Sequence, residues 1–241
     1  MRMVDFPVDL PIRTRRPIGG PGVLGATQSE TEKSQVVTSP FGDLLRWEIT
    51  CPPMRGAGAR AFKQLTVAAQ SGANCFRFEL CDIDEPSYGE LGLNISNSQG
   101  GKVPFSNGQT FTNGKLMTLN KPLADIAAAS AKNSGTIVID ASAWNGVLPA
   151  WFGIVGHFAA YFITGAVFNG DIATCRVWPP VRRDIATSDF ATMRPVVAMQ
   201  LMGPGGAAWS RQIEVQDGMT LQMQEVLDET VRAYVTEDYP A

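Results

Sequence analysis

The chain has one histidine in 241 residues and only four cysteines, Cys51, Cys75, Cys81 and Cys175. No two cysteines form a C-x-x-C pair, so zinc-site spacing is missing, and a chain of this size does not need disulfide staples. Charge is scarce too: 18% of residues are charged, 20 basic against 23 acidic. Without a basic excess there is no field to hold a nucleic-acid backbone, and specific nucleic-acid binding is not expected. Long apolar runs are absent. The most apolar window, residues 147–168, is interrupted by Pro149, three glycines and His157, so no membrane segment is expected. The first residues, MRMVDFPVDLPIRTRRP, carry Asp5, Pro7, Asp9 and Pro11 where a secretion signal needs an apolar core, which points to synthesis ending in the cytosol.

What the sequence does have is 44% hydrophobic residues, 24 glycines and 16 prolines. That is enough apolar surface for a real core, cut into short pieces by many turns, and it predicts a mainly β fold, a sandwich or barrel. Leu45, Trp47, Ile49 and Cys51 alternate with polar residues as in a half-buried strand, and Pro52-Pro53 ends it. Apolar residues at Ala61, Phe62, Leu65, Ala68 and Ala69 predict one packed helix over about 55–70, with Gly72 as its stop. Phe76, Phe78 and Leu80 then read as a second strand, a possible neighbour of the first.

Asn-Gly dipeptides at 107, 113, 145 and 169 mark turns, the clearest joining Tyr161–Phe168 to Asp171–Trp178. Asp217-Gly218 reads as another hairpin turn. Residues 121–132 fit either a short helix or an Ala-rich crossover. The chain divides into an extended arm at 1–26, a β domain with the helix at 27–81 and about 169–230, an inserted or second small β subdomain at about 82–168, and a flexible tail at 231–241.

Catalytic machinery is not legible. His157 lies in an apolar strand with no G-x-S-x-G nucleophile in the chain, and the cysteines fall in strand patterns where burial leaves a thiol inert. No catalytic, cofactor-binding or metal residues are assigned. Asp82, Asp84 and Glu85 could offer oxygen ligands to a cation, but without the glycine and terminal glutamate of an EF-hand they read as a solvated turn. Residues 20–25 match G-x-G-x-x-G, yet a proline-broken basic arm precedes them and strand-like sequence follows, the wrong setting for a dinucleotide. Arg13, Arg15 and Arg16, like Arg182 and Arg183, fit a nucleic-acid contact or a protein contact equally well. Trp144, Trp151, Trp178 and Trp209 lie near turns, where they could stack on a sugar or seal a core. The class left is a protein that acts through its surface.

Two segments carry a resemblance. FGDLLRWEITCPPMRGAGARAFKQLTVAAQSGANCFRFELCD, residues 41–82, is similar to minor tail proteins of long-tailed bacteriophages: a strand with a tryptophan, a Pro-Met turn, an Ala/Arg-rich helix and a Phe-rich strand. GDIATCRVWPPVRRDI, residues 170–185, is similar to the family's G-D-x-A-x-x-x-x-W-P-P-hydrophobic-R stretch. Ser71-Gly72-Ala73 stands where the family often has Arg-Gly-Arg. The resemblance implies a distal tail protein with a tail-tube-like β fold. It would form a homo-oligomeric ring, a hexamer, at the tail tip of the virion, between the tail tube protein and the hub with its receptor-binding apparatus. Phe41, Arg55, Arg60 and Lys63 are then expected near the subunit boundary. A tail tube protein, another minor tail protein or a carbohydrate-binding adsorption module are the alternatives.

Overall fold

The computed structural model describes residues 2–7, 10–18, 23–28, 34–38, 44–80, 85–92, 102–103, 117–118, 121–203, 206–211 and 216–234. For 23–28, 34–38, 102–103, 117–118, 209–211 and 216–218 it describes the backbone alone. In chain order the elements are β1 (Met3–Asp5), β2 (Thr14–Pro17), β3 (Val23–Gln28), β4 (Ser34–Thr38), β5 (Arg46–Thr50), helix α1 (Ala57–Ala69), β6 (Cys75–Glu79), β7 (Lys102–Val103) and β8 (Met117–Thr118). They continue with β9 (Ala124–Ala128), β10 (Thr136–Asp140), β11 (Trp151–Ile154), β12 (Ala160–Asn169), β13 (Ile172–Trp178), β14 (Phe190–Thr192), β15 (Val196–Leu201), β16 (Ala207–Arg211), β17 (Gln216–Glu225) and helix α2 (Asp228–Tyr234). The fold is mainly β with one main packed helix, as the composition implies.

Period-2 alternation builds the first unit, a seven-stranded sheet ordered β1-β6-β15-β17-β5-β2, with β16 also on β17. Trp47 and Ile49, Phe76 and Phe78, Val197 and Met199, and Met219, Leu221 and Met223 are buried in one cluster. Helix α1 adds Ala59, Phe62, Leu65 and Ala69 to it, spaced three and four apart so that one stripe meets the sheet. The two strands flanking α1 are not neighbours. β15 and β17, from the far end of the chain, lie between β5 and β6, because their Met- and Val-rich faces complete the surface that the helix covers.

The second unit is a closed barrel, β10-β13-β12-β11-β14-β9, filled by Ile126, Ile137, Ile139, Phe152, Ile154, Tyr161, Ala173 and Cys175. Sheet pairing therefore draws the division away from 82 and 168. β13 and β14, expected in the first unit, close the barrel, and residues 124–128 are a barrel strand instead of a helix. Period 2 across Ala124, Asp125 and Ile126, buried-exposed-buried, overrides their helix propensity. The hairpin expected here forms, but its turn lies one residue later than the Asn169-Gly170 dipeptide: Asn169 pairs with Ile172 inside the ladder, and Gly170, φ 62°, and Asp171 make the two-residue turn. Asp217-Gly218 makes no turn, since both residues lie inside β17.

The arm is extended but docked. β1 pairs parallel with β6, and β2 pairs antiparallel with β5, one at each border of the sheet. Helix α2 covers the opposite sheet face, where Val226 and Val231 join Cys75, Phe158 and Ala198.

Candidate assembly surface

The two units meet at an aromatic and ionic joint. Trp151 and Trp178 leave the barrel wall to pack on the core of the first unit, and the Trp151 ring lies 6.0 Å from Trp47 and 5.1 Å from Phe162. Beside them Arg182 donates from Nη2 to Glu225 Oε2 at 2.9 Å and from Nε to Oε1 at 3.2 Å, both side chains buried. Glu225 also accepts the Leu45 N–H at 3.0 Å, and the Tyr161 hydroxyl accepts the Arg182 N–H at 3.1 Å. Arg183 lies 3.8 Å from buried Asp228. Arg182 is thus directed inward, while Arg183 is exposed and reaches back to the Asp228 carboxylate.

Of the residues expected at a boundary, Arg55, Arg60 and Lys63 are exposed, and Phe41 lies outside the described residues. Arg60 and Lys63 follow helical spacing on the face of α1 turned away from the sheet, together with Gln64 and Val67, the last 73% exposed. The N-terminal arginines serve their own sheet: Arg16 pairs with Glu48, and Arg15 sits over the Phe78 ring at 5.5 Å.

A second surface feature lies on the barrel. β12 is ten residues long but pairs with β11 only from Ala160 to Phe162. One further bond, from Ile163 N–H to the Ala150 carbonyl, extends this side. The next residue in that register is Pro149, which has no N–H to give, and β12 bulges between Ile163 and Gly165. The ladder stops there. Residues 164–169 are all exposed, Val167 at 73% and Phe168 at 47%, and among the described residues they pair only with β13. The sequence shows only the uncharged run, Thr164 to Asn169; that Pro149 stands beside Thr164 on the neighbouring strand side is a product of the barrel pairing.

The remaining candidates resolve as follows. His157 lines an open cleft of about 410 Å³ with Glu79, Lys121, Thr192 and Arg194. Its Nδ1 is buried without a hydrogen-bond partner, and its Nε2 stands 4.0 Å from Asp189, too far for the orienting bond a general base uses. Burial lowers its pKa, the Arg183 charge adds to that, and Asp228 and Asp189 oppose it. Burial pushes the thiols of Cys51 and Cys175 up to about 11 and that of Cys75 upward, which keeps them protonated. Cys81, Asp82 and Asp84 lie outside the described residues, while Glu85 is held by Lys121 in a largely buried ion pair. Among the described residues no group of His, Cys, Asp or Glu is placed to hold a metal ion. Residues 23–28, where a dinucleotide fingerprint would open a helix, form a strand. Trp144 is fully buried and donates to the Pro122 carbonyl; the Trp209 side chain lies outside the described residues. No described helix is long and apolar enough to cross a membrane. No protein-family model matches the chain, and no curated protein matches it.

Proposed function

We propose that the chain is a structural component of a bacteriophage tail tip, a distal tail protein that acts by assembly and not by catalysis. Copies form a homo-oligomeric ring, a hexamer, that joins the tail tube protein to the hub and receptor-binding apparatus in the virion. The observation that carries this reading is the convergence of the two tail-like segments on one residue. Leu45 from the first and Arg182 from the second, far apart in sequence, both bond the buried carboxylate of Glu225. The segments that carry the resemblance therefore meet at one buried joint. Ring closure needs two different complementary faces on each subunit, and the exposed basic stripe of α1, Arg60 and Lys63 with Arg55 nearby, supplies one of them.

Electron microscopy of the purified chain tests the proposal, with Arg60→Glu/Lys63→Glu as the paired variant. Closed rings for the parent chain, lost in the variant while the fold persists, support it. A monodisperse monomer at every concentration contradicts it.

A further inference from the structure

The free side of β12 has a self-complementary geometry. In a two-residue hairpin the residues flanking the turn exchange both backbone bonds, so Asn169 pairs this way with Ile172, and Val167 and Gly165 follow in alternation with Thr174 and Arg176. Ala166 and Phe168 therefore point their N–H and C=O groups outward, away from β13. An uncovered row of this kind is a template for another strand.

The chemistry of the row selects its occupant. The outer strands of the sheet are guarded: β1 ends in Asp5, and β2 carries Arg15, Arg16 and Pro17. Between Gly165 and Asn169 there is no charge and no proline, and among the described residues no side chain covers the row, so a charged partner strand finds no counter-charge within it. The row is also symmetric about Val167, with outward-directed residues one step to each side, Ala166 small and Phe168 large.

We propose that the β12 edges of two copies pair antiparallel about a twofold axis at Val167. Ala166 of one copy then exchanges both backbone bonds with Phe168 of the other, the large ring faces the small methyl, and the two Val167 side chains meet at the axis. The pairing is isologous and distinct from the contacts that close a ring, so it stands or falls apart from the tail-tip reading.

The test is cysteine cross-linking of the full chain. At a non-hydrogen-bonded antiparallel pair the Cα atoms are about 4.5 Å apart, within disulfide reach. Val167→Cys is expected to oxidise to a species of twice 26.0 kDa on a non-reducing gel. The parent chain and Asn169→Cys, whose opposite residue is Gly165, are not. In sedimentation velocity, Ala166→Pro, which removes one outward donor per copy, weakens self-association at least about tenfold. Val167→Cys that stays uncross-linked, or cross-links no better than Asn169→Cys, overturns the pairing. Rings without a Val167 cross-link sink this inference and leave the tail-tip reading; cross-linked pairs without rings do the reverse.

Discussion

Arg182 grips Glu225 at two points, 2.9 and 3.2 Å, at the seam between barrel and sheet, with both side chains out of water. A buried pair of this kind is costly to break on one side, because the survivor is left as an uncompensated charge. Glu225→Ala is expected to lower unfolding stability by about 3–5 kcal/mol, and Arg182→Met by a comparable amount. The double variant should lose clearly less than the sum, which chemical denaturation of all four proteins checks.

Gly153 on β11 is a second test of the seam. A Cβ there would lie 2.8 Å from Pro195 Cβ and 3.1 Å from the Ala159 carbonyl, where neither neighbour is a flexible chain end. Gly153→Ala should destabilise by about 1–3 kcal/mol through overpacking, lowering the melting temperature. Gly165→Ala has open space around its Cβ and should leave it nearly unchanged.

Acid should weaken the fold through His157. Burial holds its folded-state pKa below the ordinary 6.5, so the unfolded chain takes up the proton first. The stabilising contribution is thus present above 6.5 and is lost as pH falls below that value toward the folded-state pKa. Melting temperature should fall between about pH 7.5 and about pH 5.5, and His157→Gln should flatten that dependence.

Thiol chemistry gives an independent check on burial. With Cys51 and Cys175 pushed up to about 11 and Cys75 also raised, alkylation at about pH 8 should spare all three until the chain is denatured. Peptide mass mapping before and after denaturant distinguishes them from Cys81.

The local elements were legible in the sequence, since α1, β5, β6 and the β12–β13 hairpin each carry their own period or turn residue. The long-range order was not. Nothing near Trp47 or Phe78 says that β15 and β17 come between them, because that choice is made by the Met199, Leu221 and Met223 surface more than a hundred residues away. Asp217-Gly218 has the same root: pairing of Ala208 with Thr220 and of Ser210 with Asp217 carries the strand through the dipeptide with a register shift, where the dipeptide alone favours a turn. For the candidate assembly surface, exposure of Arg60 and Lys63 follows from helical spacing. The free row at β12 depended on Pro149 lying opposite Thr164, a juxtaposition only the barrel creates.

Native mass spectrometry of the purified chain over a wide concentration range addresses the central claim, that this protein works as a repeated structural unit. A closed complex at an integral multiple of 26.0 kDa is expected, six copies in the ring. A single 26.0 kDa species throughout, under conditions where the fold is intact, would contradict it.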